Sequence, residues 1–165
     1  MTLVQGRKVN MIVGCDIDGV LADVSDYHHI LPDWDEFYKH TLELPVIPEM
    51  AELVGDLLRT GNVVVFITGR PSSIRRATTL WLKRNIPNLH HVEIKMRQDG
   101  DFRPSINLKL EALRELRPSI MIEDEPKAVE AIRAEGFTVL QVHGYRVTME
   151  DLIPYTGGRN DIKTT

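Results

Sequence analysis

Short apolar runs rich in β-branched residues recur along this chain, separated by segments with a helical repeat. The runs cover 11–15, 63–67, 119–122 and 137–142, with a weaker one at 92–94. Most are apolar on consecutive rather than alternate positions, so both faces of each strand must be covered. Between them lie four helical stripes. These are Leu53, Val54, Leu57 and Leu58; Ile74, Ala77, Thr78 and Trp81; Ile106, Leu110 and Leu113; and Ala128, Val129 and Ile132. The alternation predicts an α/β fold, a doubly wound parallel sheet covered on both sides. Ligands of such sheets bind beyond the C-terminal strand ends, so the residues that follow each run are where chemistry is to be sought.

The first run, Met11-Ile12-Val13-Gly14-Cys15, breaks on Asp16-Ile17-Asp18-Gly19. If the chain stays extended through Ile17, Asp16 and Asp18 point the same way. Two clustered carboxylates repel unless a cation or a shared proton lies between them. The pair suits a hard metal such as magnesium, and it can set a nucleophilic carboxylate beside an acid/base one. The plainer reading is an acidic loop with Asp18-Gly19 as turn chemistry.

Three further junctions carry polar groups. The run 63–67 leads into Thr68-Gly69-Arg70-Pro71-Ser72, where the hydroxyl, the turn N–H groups and a following helix N-terminus can hold phosphate oxygens. Arg70 can fork onto a phosphate. Alternatively Ser72 or Ser73 caps that helix and Thr68 merely ends the strand. Met121-Ile122-Glu123-Asp124-Glu125-Pro126 ends a third strand in carboxylates. Asp124 can complete a metal site or simply cap the helix that Pro126 begins. Lys109 opens a helix after Arg97-Gln98-Asp99-Gly100-Asp101-Phe102-Arg103; it can neutralise the carboxylates and a phosphate, or remain a solvated helix lysine.

The segment 24–47 breaks the strand–helix rhythm and is too long for an ordinary connection. It holds His28, His29, Pro32 and an acidic stretch around Trp34. It reads as a small cap insert over the site, or as an excursion that packs Trp34 and Phe37. His28, His29 and Trp34 can stack on a base or sugar, although surface packing is the default for the histidines. At 165 residues the chain reads as a single domain spanning 1–165, with a loosely ordered tail over 155–165.

Composition excludes several classes. A formal net charge of −4 argues against strong non-specific binding to long duplexes. Arg75, Arg76, Lys83 and Arg84 can still form a basic track on one helix, or a solvated face. Neither GxxxxGK[ST] nor GxGxxG occurs, and no zinc spacing exists. A cysteine phosphatase needs an arginine six positions after its thiol, and Leu21 stands there. The single cysteine, Cys15, makes no internal disulfide, and no signal-peptide or membrane-spanning pattern is present, which points to the cytoplasm and to no membrane partner.

Taken together, the junctions resemble those of the haloacid dehalogenase superfamily of phosphotransferases. Asp16-Ile17-Asp18-Gly19 matches its first motif, Thr68 its second, Lys109 its third and Glu123-Asp124 its fourth. More narrowly, Asp33-Trp34-Asp35-Glu36-Phe37, Thr68-Gly69-Arg70-Pro71 and Gly100-Asp101-Phe102-Arg103 look like the 3′-phosphatase domain of phage-type polynucleotide kinases. This chain lacks the P-loop of the kinase module, so kinase activity is not expected of it, and Glu123 stands where an aspartate is usual. The 5′(3′)-deoxyribonucleotidases, which act on free mononucleotides, share the Asp-x-Asp-Gly-Val-Leu-Ala-Asp start and rank second.

The resemblance implies a Rossmann-like fold with a small cap and magnesium-dependent hydrolysis of a phosphomonoester, a nucleotide or nucleic-acid 3′ end. It implies Asp16 as nucleophile and Asp18 as acid/base. Magnesium would be held by Asp16, the Asp18 carbonyl and Asp124. Thr68 and the Gly69 N–H would hold the phosphoryl group and Lys109 would offset its charge. Arg70, Asp101 and Arg103 are the expected substrate-contact or supporting residues. A sugar-phosphate phosphatase, and a binding module that kept the fold without turnover, stay open. The oligomeric state is not legible.

Overall fold

The computed structural model describes residues 11–27, 29–30 and 33–143, and the backbone alone of 2–4 and 7–9. The tail expected over 155–165, together with His28 and Pro32, lies outside the described residues. An antiparallel pair, β1 (Thr2–Val4) and β2 (Arg7–Val9), comes first. No apolar run announced it.

The strands that follow are β3 (Ile12–Cys15), β4 (Val63–Pro71), β5 (Glu93–Arg97), β6 (Ile120–Glu123) and β7 (Val139–Gln141). They form one parallel sheet in the order β5-β4-β3-β6-β7. The helices are α1 (Trp34–Lys39), α2 (Pro48–Arg59), α3 (Arg75–Asn85), α4 (Ser105–Leu116) and α5 (Pro126–Ala134). The expected doubly wound parallel sheet is therefore present. The chain builds outward from β3 to β5, crosses back with α4, and builds the other way through β6 and β7. The switch of direction falls at β3, and the crevice of such a sheet opens at the strand ends there.

Alternation along the strands divides the core into two layers. Val13, Cys15, Val64, Phe66 and Ile122 pack with Val54 of α2 and with Trp81 and Leu82 of α3. Val65, Ile67 and Met121 pack with Ala112 and Leu113 of α4 and with Ala128 and Ile132 of α5. Helix starts follow local chemistry: Pro48 and Pro126 open α2 and α5, and the Asp33 carboxylate accepts the Glu36 N–H at 3.0 Å to start α1. One stripe is displaced. On α2 the buried residues are Ala51, Val54 and Gly55, while Leu53 is 39% exposed. Gly55 lies so close to Pro87 that an added Cβ would stand 2.9 Å from the proline Cβ, which turns the helix onto that face.

The insert 24–47 is pinned at both ends. Ala22 and Val46 form an antiparallel bridge, Asp23 N–H bonds the Pro45 carbonyl at 2.8 Å, and Ile47 N–H bonds that of Leu21 at 2.8 Å. Phe37 and Leu44 are buried against the α2–α3 layer, and the Trp81 indole N–H donates to the Leu44 carbonyl at 2.8 Å. Among the described residues no helix is long and apolar enough to cross a membrane. Trp81→Phe removes that indole donor and leaves a buried acceptor unpaired. Urea unfolding should show a loss of about 1–3 kcal/mol.

Candidate active site

Asp16 stands one residue past the end of β3, but its N–H still bonds the Ile122 carbonyl at 3.0 Å, so the side-chain alternation continues. Gly14 and Asp16 share the face that α4 covers. At Gly14 a Cβ would lie 2.8 Å from Met121 Sδ. At Asp16 the carboxylate meets Lys109 instead.

Lys109 lies in the second turn of α4 and is 4% exposed. Its Nζ donates to Asp16 Oδ2 and to Glu123 Oε2, each at 2.7 Å. It is thus not a solvated helix lysine. Burial works against the ammonium, and the Asp16 and Glu123 carboxylates more than offset this, so Lys109 stays charged. Glu123 Oε1 accepts the N–H groups of Asp124 and Glu125, both at 3.2 Å. Both oxygens of this fully buried glutamate are therefore occupied, and it orients Lys109 and the turn that carries Asp124.

Asp16, Glu123 and Asp124 bring one ligand atom each within 4.8 Å of one another. Burial pushes Asp16 up to about 7, with Lys109 opposing the rise, and burial followed by the Asp16 charge lifts Asp124 to about 6. One ammonium against three carboxylates leaves a surplus of negative charge, which a divalent cation would relieve. The donor set is all oxygen, which suits magnesium.

Gly19 permits this packing. Its φ is +82°, and a Cβ there would overlap Asp124 Oδ2. The turn is closed by Leu21 N–H and Ala22 N–H on the Ile17 carbonyl, at 2.8 and 2.9 Å.

Asp18 has a different partner. Arg70 Nε donates to its Oδ2 at 2.9 Å and Nη2 to its Oδ1 at 2.6 Å, while Nη1 reaches Thr78 Oγ1 of α3 at 3.3 Å. Burial works against the guanidinium, and the Asp18 carboxylate raises it above the ordinary arginine range. The fork expected to meet a phosphate is thus occupied by Asp18. Thr68 is buried, and its Oγ1 accepts Arg70 N–H at 3.2 Å.

The helix expected after Thr68 starts further along the chain than the sequence suggested. β4 runs on to Pro71 with a register shift against β5 between Ile67 and Pro71, a 3₁₀ turn follows over Ser72–Ile74, and α3 begins only at Arg75. Neither Ser72 nor Ser73 caps α3; Ile74 occupies that position.

Arg97 was not singled out from the sequence, and it braces this edge. Its Nε donates to the Gly69 carbonyl at 2.9 Å, and Nη1 to the carbonyls of Asp101 and Arg103 at 2.7 and 2.6 Å. Backbone acceptors leave no trace in a sequence pattern, so only its place at the end of β5 hinted at a role. Within the 98–104 loop Asp101 pairs with Arg103 at 2.7 Å, and Arg103 pairs with Glu111. Arg103 hydrogen bonds hold the Asp101 carboxyl at about 2.

Asp16, Asp18, Thr68, Gly69, Arg70, Asp101, Arg103, Lys109 and Asp124 all line one cleft of about 1210 Å³. Trp34 and Tyr38 of the insert line it too. Arg75, Arg76, Lys83 and Arg84 are exposed on α3 and do not, nor does His29.

A family profile described as the polynucleotide kinase PNKP phosphatase domain matches residues 10–145. The chain belongs to this family. It is a haloacid dehalogenase-type phosphatase domain, as the motifs implied. Among curated proteins none matches it.

Solved structures share the fold. A chain in the Pnkp1/Rnl/Hen1 complex aligns with a TM-score of 0.63 at 22% identity, covering 79% of this chain and 45% of that one. A chain in the Pnkp1/Rnl/Hen1 RNA repair complex gives 0.65 at 20% identity, covering 79% and 42%. This chain thus spans less than half the length of both. The haloacid dehalogenase-like hydrolase SP0104 from Streptococcus pneumoniae gives 0.60 at 15% identity, covering 88% and 90%.

Two substitutions test the geometry. Gly19→Ala strains a left-handed turn by about 1–2 kcal/mol and displaces Asp124. Phosphatase turnover should fall at least about a hundredfold, far beyond the small drop in unfolding midpoint. Arg70→Lys keeps the charge and loses the fork. It should lower kcat at least about tenfold with little change in KM, the mark of a positioning residue.

Proposed function

We propose that this phosphatase removes 3′-phosphates from nucleic-acid ends, through an aspartyl-phosphate on Asp16 and with magnesium. The observation that carries the mechanism is the division of the Asp16/Asp18 pair between two cations. Asp16 is held by Lys109 within the carboxylate cluster, and Asp18 is held by Arg70 in the same cleft. Carboxylates in distinct environments can take distinct roles. The family match supports the polynucleotide substrate class.

In the first step an Asp16 oxygen attacks phosphorus, the bond to the 3′-oxygen breaks, and Asp18, with one oxygen released from the Arg70 fork and carrying a proton, gives that proton to the leaving oxygen. In the second, water attacks the same phosphorus, Asp18 takes up its proton, and Asp16 is released. Asp16, the Asp18 main-chain carbonyl and Asp124 would hold magnesium, which supplies Lewis-acid stabilisation of the phosphoryl oxygens. Thr68 and the Gly69 N–H orient those oxygens, and Lys109 balances charge as it builds up.

Asp101, Arg103 and Arg97 shape the loop against which the substrate rests. Arg70 acts through Asp18 rather than on the phosphate. The insert 24–47 serves as a small cap and shields the reacting atoms from bulk water.

The direct test is phosphate release from a 3′-phosphorylated oligonucleotide, a 3′-mononucleotide, a 5′-mononucleotide and a sugar phosphate, side by side. The oligonucleotide should be favoured. Chelation should abolish turnover and magnesium restore it. Asp16→Asn should remove activity completely; near-normal turnover in that variant refutes the covalent route. Preference for a free mononucleotide would replace this reading with nucleotidase chemistry. Release from none of the four would leave a binding role for the cleft.

A further inference from the structure

Two large apolar side chains stand exposed at the mouth of the cleft that holds Asp16 and Asp18. Phe102 is 94% exposed and Trp34 is 50% exposed, and both line that cleft. Neither exposure comes from slack chain. Phe102 sits between Asp101 and Arg103, whose carbonyls both accept from Arg97, and the Asp101–Arg103–Glu111 ion pairs close the loop from the other side. Trp34 is held by Phe37, edge-on at 5.8 Å, and by Tyr38, stacked at 6.0 Å with 30° between the planes. A ring held into water by a braced frame offers its face to something flat.

The chemistry says which part of a substrate comes here. The leaving oxygen must lie at Asp18, which protonates it, so the group bonded to that oxygen extends away from Asp18 and from the carboxylate cluster. Tyr38 lines the same cleft, within reach of the Asp18 charge. Burial, then the Asp18 charge, pushes its phenol up to about 12, and its hydroxyl has no protein partner among the described residues. From Asp18 the wall continues through Tyr38 to Trp34. Asp33 and Asp35 flank Trp34 on the cleft surface, so a phosphodiester strand is repelled there while a neutral base is not.

We propose that Trp34 and Phe102 form a stacking subsite for the base of the terminal nucleoside, with the Tyr38 hydroxyl facing its sugar. The subsite rests on the nucleic-acid-end reading above and adds what that reading lacks, a means of telling a nucleoside phosphate from a bare sugar phosphate. Stacking reads a flat face rather than a base edge, so discrimination among the four bases should be weak.

The test compares 3′-phosphorylated oligonucleotides that carry a base at the terminal position or are abasic there, with glycerol 2-phosphate as a small substrate without a ring. The wild type should favour the base-bearing end by at least about tenfold in kcat/KM, mostly through KM. Trp34→Ala combined with Phe102→Ala should collapse that preference, and Trp34→Phe with Phe102→Tyr should restore most of it. Equal turnover of base-bearing and abasic ends by the wild type, or an unchanged preference in the double alanine variant, overturns the subsite while leaving the 3′-phosphatase reading intact. Turnover of glycerol 2-phosphate with neither oligonucleotide accepted refutes the nucleic-acid-end reading, and the subsite with it.

Discussion

The buried contact of Lys109 with Asp16 and Glu123 is the constraint around which the domain is organised. It joins the end of β3, the second turn of α4 and the end of β6, three elements far apart in the chain. Removing charges from water is costly, and a lone buried carboxylate or ammonium is costlier still. Breaking such a contact from one side typically costs about 3–5 kcal/mol. The crossover helix α4 is therefore held in register with the sheet by electrostatics as well as by Ala112 and Leu113. The small residue at Gly14 belongs to the same arrangement, since it lets Met121 lie against β3 one step below the carboxylates.

Around that contact the site separates charges that would otherwise fight. Asp16 and Asp18 emerge from the same strand end, yet one turns to α4 and the other to β4 and α3. Glu123 spends both oxygens on Lys109 and on backbone N–H groups, which leaves Asp124 as the carboxylate facing Asp16 across Gly19. The longer glutamate in place of the usual aspartate thus has a structural account: it reaches Lys109 with one oxygen while the other holds the turn. Arg97 does the equivalent for the opposite edge by holding three main-chain carbonyls at once.

Much of the layout was legible in the chain. The consecutive apolar runs marked the parallel strands, and the acidic junctions at Asp16 and Glu123-Asp124 fell at strand ends of the sheet, because a buried strand stops where its charged residues begin. What was misread shares one cause. A helix start close after Thr68 and a phosphate-facing Arg70 were inferred from local pattern, and each was decided by a residue distant in sequence, as was the choice between a solvated Lys109 and one that meets the carboxylates. Arg97 and the bulge extend β4 past Thr68, Asp18 takes the Arg70 fork across 52 positions, and Glu123 and Asp16 bury Lys109. Leu53 was misplaced likewise, since the approach of Pro87 to Gly55 sets the buried face of α2.

Side-chain identity and order along the chain suffice to specify the fold class, the carboxylates and the lysine of the site, and the membership in a phosphatase family. Periodicity and strand ends are local properties, and local properties survive in one dimension. Which cation answers which carboxylate, which ring is buried and which is held out at the cleft mouth, and which face a helix presents are settled only when the elements meet. Those choices rest on distances of a few ångströms between residues tens of positions apart, and no spacing in the chain encodes them.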